Sequence, residues 1–322
     1  MERQWLAKLN EYDAGRMGFF SVALLAAVAV FGLTIRPAPA EIHFRAEILD
    51  VPGKPGHFLA SDYWVVADIE GTSQSALLVA GGGAGLNPGG AGSSGWEQGI
   101  FVLKRSGSGP KMMGPFPVSG TGDLRACDID GDGKEEVFVL GYDPQNQCML
   151  RWKGNEFVQE KVPFPRYEAP VVVFEDFSGD GRPDLYLSGT EVVGKKGRPE
   201  QVVGRIYENA GGRFQATNIA LKVKELVDTA HVIDYNEDGK PDLLLGVNTS
   251  LNMEADCCRI FVNRGDHFEK VRTPLVGYDE LLGLSSASVA EVDFNGDGLD
   301  DLLMSGFWHE GWGGETYISD RK

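Results

Sequence analysis

The segment DIDGDGKEE, residues 128–136, sets carboxylates at 128, 130, 132, 135 and 136 around Gly131 and Gly133. Like charges held so close repel, by about 4 kcal/mol per pair at 4 Å in an effective dielectric near 20, unless something neutralises them. The pattern recurs as DFSGDGRPD at 176–184, DYNEDGKPD at 234–242 and DFNGDGLDD at 293–301. Successive copies start 48, 58 and 59 residues apart. A period of that size marks repeated supersecondary units, propeller blades among them. An eroded copy opens at Asp68, 60 residues before the first, and lacks the third acid and the second glycine.

Each nonapeptide lies between two strand-like runs. Val171–Phe174 and Ala230–Ile233 precede a copy, and Val137–Leu140, Leu185–Leu187 and Leu243–Leu245 follow one. These short, apolar or β-branched runs bounded by glycine read as buried strands. A third run follows in Ile100–Leu103, Arg205–Tyr207 and Arg259–Val262, and a fourth opens on a turn and Phe157, Phe214 or Phe268. Four antiparallel strands per repeat make one propeller blade. The last repeat supplies a strand before Asp293, then Leu302–Met304 and Thr316–Ile318, one strand short of four. Glu41–Leu49 alternates with period two and can supply the missing strand, closing the ring and removing two exposed sheet edges. The expected fold is therefore all-β, a five-bladed propeller over residues 41–322 closed by an N-terminal strand. The competing expectation is a piece of a longer, seven-bladed array.

Within each nonapeptide every second residue is an oxygen donor. Position one is Asp128, Asp176, Asp234 or Asp293; position three is Asp130, Ser178, Asn236 or Asn295. Position five is Asp132, Asp180, Asp238 or Asp297; position nine is Glu136, Asp184, Asp242 or Asp301. Position six is glycine throughout, which permits the left-handed backbone needed to curl a loop around a point. With the carbonyl of position seven (Lys134, Arg182, Lys240 or Leu299) these oxygens form a cage for a hard cation. Calcium takes six to eight oxygens at about 2.3–2.6 Å, so about four calcium ions are expected. The loop shares its opening with an EF-hand, but position twelve is Val139, Leu187, Leu245 or Met304 inside a strand, not a glutamate before a helix. A metal-free Asx turn is the alternative, since Asp, Asn and Gly favour tight turns for local reasons alone.

These four loops, D-x-[DNS]-x-D-G-x-x-[DE], resemble the calcium-binding repeats of FG-GAP/VCBS-repeat proteins, the propeller family that includes the head of integrin α subunits. The resemblance covers about Glu41 to Lys322. It implies calcium in a structural role on the blade-edge hairpins and an adhesive or ligand-binding role for the opposite face. The chain departs from the family in lacking evident FG and GAP tripeptides beside the loops, and in having fewer blades than the seven of integrins.

Met17–Ile35 carries no charge over 19 residues between Arg16 and Arg36, close to the length that spans a bilayer as a helix. Residues 1–40 therefore read as an export segment containing one hydrophobic helix. Ala38-Pro39-Ala40 suits cleavage before Glu41; uncleaved, the segment anchors the propeller to the membrane. Either way the propeller is expected outside the cytoplasm, secreted, periplasmic or membrane-anchored. A net charge of -17 argues against nucleic-acid partners and towards cations. Cys127, Cys148, Cys257 and Cys258 are too few for a disulfide scaffold. Cys127 and Cys148 pair if their strands are neighbours; otherwise they are buried thiols.

The long loops of the other face gather Trp96 and Glu97 from the first blade and Trp308, His309, Glu310 and Trp312 from the last, groups of the kind that anchor sugars or peptides. The expected function is a cell-surface or secreted binding and adhesion module for a protein or carbohydrate. The alternative is a carbohydrate-active enzyme with carboxylates around the central channel. Zinc spacings and a G-x-S-x-G elbow are absent from the sequence, and the G-x-G-x-x-G at 90–95 precedes no helix, so no catalytic residue is assigned.

Overall fold

The computed structural model describes residues 63–81, 99–107, 109–118, 122–193, 198–223, 226–248, 258–271, 285–292, 301–307 and 314–318. Nineteen strands form five antiparallel sheets in chain order. The first sheet is β1 (Trp64–Ala67), β2 (Ala76–Gly81), β3 (Gly99–Ser106) and β4 (Gly109–Phe116). The second is β5 (Asp123–Cys127), β6 (Glu136–Leu140), β7 (Cys148–Lys153) and β8 (Glu156–Glu160). The third is β9 (Glu168–Glu175), β10 (Asp184–Val193), β11 (Arg198–Asn209) and β12 (Phe214–Leu221), and the fourth is β13 (Leu226–Ile233), β14 (Asp242–Asn248), β15 (Cys258–Asn263) and β16 (Phe268–Val271). The fifth has three strands, β17 (Ser285–Val292), β18 (Asp301–Phe307) and β19 (Gly314–Ile318).

Strands pair strictly with their sequence neighbours, so every sheet is a four-stranded meander, the last excepted. The first strands of successive sheets touch one another, β1 to β5, β5 to β9, β9 to β13 and β13 to β17, which is the arrangement of propeller blades around an axis. The core lies between blades. Val137 and Val139 of β6 point into the cluster shared with the first sheet, while Phe138 and Leu140 point into the cluster shared with the third. Leu185 and Leu187 of β10 face the second sheet, and Tyr186 faces the fourth. A blade covered on both faces needs apolar residues on both, which is why the second strands read as continuous apolar runs and not as alternation. Each such side chain contributes about 1.5–3 kcal/mol when fully buried. Gly204 on β11 makes room for Tyr186, because a Cβ there would stand 2.5 Å from the phenolic oxygen.

Among the described residues four blades are complete, against the five expected from the sequence, and the fifth sheet has three strands. The strand expected at Glu41–Leu49 to complete the last blade lies outside the described residues, as does the expected hydrophobic helix over 17–35. Among the described residues the only helical element is a single 3-10 turn at Pro144–Asn146. No helix there is long and apolar enough to cross a membrane. Cys127 and Cys148 do not pair: β6 separates their strands, each packs on a different face of the second blade, and both are buried outside any disulfide.

Candidate cation-binding loops

The loops sit at one structural position. In every blade the first residue of the second strand is position nine, and it pairs with the last residue of the first strand: Cys127 with Glu136, Glu175 with Asp184, Ile233 with Asp242, Val292 with Asp301. The eroded copy keeps the same frame, with Ala67 paired to Ala76. Each described nonapeptide is thus the hairpin between first and second strands, on one shared face of the propeller.

Inside each described loop the position-one carboxylate is the hub. Asp128 accepts from the amides of Gly131 (2.8 Å), Asp132 (3.2 Å) and Gly133 (2.8 Å). Asp176 accepts from Gly179, Asp180 and Gly181 at 2.8, 3.0 and 2.8 Å, and Asp234 from Asp238 and Gly239 at 3.1 and 2.9 Å. Even the eroded loop retains this, with Thr72 and Ser73 donating to Asp68. Position five accepts from the amide of position seven in all three, Lys134 to Asp132, Arg182 to Asp180 and Lys240 to Asp238. The glycine at position six has φ of 85° in Gly133, 85° in Gly181 and 77° in Gly239, a conformation that costs other residues steric strain.

Position nine is buried at the base. Glu136, Asp184 and Asp242 are at most 2% exposed, and each accepts from an amide near the start of its loop: Ile129 to Glu136 (3.1 Å), Ser178 to Asp184 (2.9 Å), Tyr235 to Asp242 (2.9 Å). Burial pushes the Glu136 carboxyl up to about 7 despite the pull of the Ile129 amide and Arg151, and burial raises Asp242 as well. Oxygens of Asp128, Asp130 and Glu136 lie within 4.8 Å of one another, a donor set suited to a cation. At position seven, Arg182 is exposed but forks onto Asp180, with Nε 3.1 Å from Oδ2; this is a solvent-screened pair.

Two kinds of residue escaped the sequence reading. The first is Arg151 on β7, whose Nη1 lies 2.7 Å from Asp130 Oδ2 and 2.5 Å from Glu136 Oε1. The second is a set of clamps between blades. Asn209, ending β11, donates from Nδ2 to the carbonyl of Ile129 in the preceding blade's loop (2.8 Å) and to Pro183 (3.0 Å), while its backbone amide donates to Asp184 (3.0 Å). Asn263, ending β15, repeats this on Phe177 (3.0 Å), Pro241 (3.3 Å) and Asp242 (2.7 Å). Trp152 takes the same slot on β7 and donates to Glu70 in the first blade's loop at 3.2 Å. The shared signal was N-x-G with phenylalanine five residues after the asparagine, at 209–214 and 263–268. The first two loops are also joined directly, the Asp68 amide donating to Glu135 (2.6 Å) and the Glu135 amide to the Asp68 carbonyl (3.1 Å).

A family model for the FG-GAP-like repeat matches residues 128–187 and 234–304. These segments are FG-GAP-like repeats. The two matches begin at position one of a loop and run past the next loop into its second strand, so each match takes in two loops and the strands between them. No curated protein matches the chain. FG-GAP repeats on a propeller frame make a binding or adhesion type of module. Of the residues expected at the loops, Asp293, Asn295, Asp297 and Leu299 lie outside the described residues, and Asp301 begins β18. Trp96, Glu97, Trp308, His309, Glu310 and Trp312 also lie outside them.

Proposed function

We propose that the chain is an exported, calcium-stabilised propeller that binds a protein or carbohydrate at the cell surface. The observation that carries this is the common frame of the loops: a position-one carboxylate wrapped by its own backbone amides, with oxygen donors at three, five and nine on one face of the propeller. The donor set suits calcium, which is hard and takes oxygen ligands in flexible geometry. Asp176, Ser178, Asp180, Asp184 and the Arg182 carbonyl would hold one ion, and Asp234, Asn236, Asp238, Asp242 and the Lys240 carbonyl another. Asp293, Asn295, Asp297, Asp301 and the Leu299 carbonyl repeat the pattern in sequence. When bound, calcium supplies the positive charge that offsets the repulsion among these carboxylates. The apolar run at 17–35 supports export, with the membrane as a contact where that run is retained. Trp96, Glu97, Trp308, His309, Glu310 and Trp312 are the proposed ligand-facing residues.

The charged pair on β5, Asp123 and Arg125, is joined at 2.7 Å, and Arg125 Nε donates to the Val172 carbonyl of the next blade at 3.2 Å, so Arg125 ties the second blade to the third.

Thermal unfolding of the full chain in calcium and in chelator, with bound calcium counted, tests the proposal. A native-state ligand at 100 times its Kd stabilises by about 2.7 kcal/mol per site, so the melting temperature should rise with free calcium. Absence of both bound calcium and shift would return the loops to plain Asx turns. Glycan and surface-protein arrays probed in calcium test the ligand face, where the double variant Trp308→Ala/Trp312→Ala should lose the signal.

A further inference from the structure

Cross-strand register places one third-strand residue opposite position nine of each loop. Leu77 pairs with Leu103, which puts Lys104 across from Ala76 in the first blade. Val137 pairs with Leu150, which puts Arg151 across from Glu136 in the second. Leu185 pairs with Tyr207 and Leu243 with Phe261, which puts Glu208 across from Asp184 and Val262 across from Asp242. The two cations use this placement identically. Lys104 Nζ lies 2.6 Å from Glu70, position three of the eroded loop, and Arg151 Nη1 lies 2.7 Å from Asp130, position three of the next. Both are held in place from elsewhere. Lys104 lies over the Trp152 ring at 4.6 Å, and Arg151 Nε faces Glu160 at 3.4 Å.

We propose that this single register position decides which loops take an external cation: the first and second blades carry their own in Lys104 and Arg151, and the third and fourth are left for calcium. Arg151 bonds the same two carboxylates, at positions three and nine, that an ion in that loop would need within about 2.3–2.6 Å. Guanidinium and metal cannot share those oxygens, and two cations at such range repel. A tethered guanidinium also needs no ion to arrive from solution, because its fork geometry suits carboxylates. In the third blade the same position delivers a further carboxylate, and in the fourth an apolar side chain, so neither register position supplies positive charge; the exposed Arg182 bonds Asp180 alone and leaves positions one, three and nine of its loop open. This division rests on the reading that the loops of the later blades take calcium.

The test is a calcium count on the full chain by equilibrium dialysis at saturating calcium, comparing the natural sequence with Arg151→Gln and Glu208→Arg. Arg151→Gln should bind one ion more, because it frees the complete donor set of 128–136. Glu208→Arg, at an exposed position that spares the core, should bind one ion fewer. Lys104→Gln should gain none, since Thr72 and Ala76 stand where the eroded loop would need acids. An unchanged count in Arg151→Gln, or in Glu208→Arg, overturns the division while leaving the calcium reading standing. A count of zero for the natural sequence overturns the calcium reading and the division with it.

Discussion

Asn263→Ala removes a side chain that is 1% exposed and makes three hydrogen bonds. Its Nδ2 donates to the carbonyls of Phe177 (3.0 Å) and Pro241 (3.3 Å), and its Oδ1 accepts from the Gly265 amide (2.8 Å). At about 1 kcal/mol net for each bond, the loss is about 3 kcal/mol, larger where the Phe177 carbonyl finds no water to replace its donor. For a domain of this size that is a fall in Tm of roughly 6 °C. Denaturant unfolding should show it, with Asn209→Ala alike and the exposed Asn155→Ala within about 0.5 kcal/mol of the natural sequence. Hydrogen exchange separates a clamp between blades from a local turn. Asn263→Ala should speed exchange at the amides of Gly179 and Gly181, in the preceding blade's loop, as well as near Gly265. A loss below about 1 kcal/mol in both asparagine variants, or faster exchange confined to the variant's own blade, would refute the clamp.

Burial lifts the Cys127 thiol far above its ordinary range, with neighbouring carboxylates adding to the effect, and Cys148 is equally enclosed. Peptide mapping after iodoacetamide treatment should find both unlabelled in the native protein and labelled only on unfolding. Burial likewise holds the Tyr186 phenol up at about 12, against about 10 in an unfolded chain. A raised group stabilises fully below its unfolded value, so about 3 kcal/mol should be lost between pH 10 and pH 12 as the unfolded state ionises first. Tyr186→Phe should flatten that loss. The same substitution should cost little at pH 7, because the buried Tyr186 hydroxyl has at most the Ser188 hydroxyl beside it.

The nonapeptides were legible because their chemistry is local. A curled hairpin needs its glycine at position six and its oxygens within nine residues, so the text of the loop states both. They also fixed the second strands, each beginning at position nine. Arg151 escaped because it joins its loop through the register of β6 with β7, 15 residues past Glu136. Asn209 and Asn263 bond carbonyls 80 and 86 residues earlier, a distance no loop motif spans. The pairing of Cys127 with Cys148 turned on strand adjacency, and the intervening β6 decided it. Completion of the fifth blade turns on residues 41–49, whose alternation suggests a strand without naming its partner.

The clamps all point the same way along the chain: the third strand of a blade reaches back to the hairpin of the blade before it, Trp152 to Glu70, Asn209 to Ile129, Asn263 to Phe177. None of the first three hairpins is therefore finished by its own blade. As the polypeptide is made from its N-terminus, each of these blades waits, provisional, until some 80 further residues have arrived to latch it. Assembly so wired is vectorial, and its reversal is too: prising off the rearmost blade unlatches the next in line, so a protease or a pulling force should unravel the ring from its C-terminal end forward.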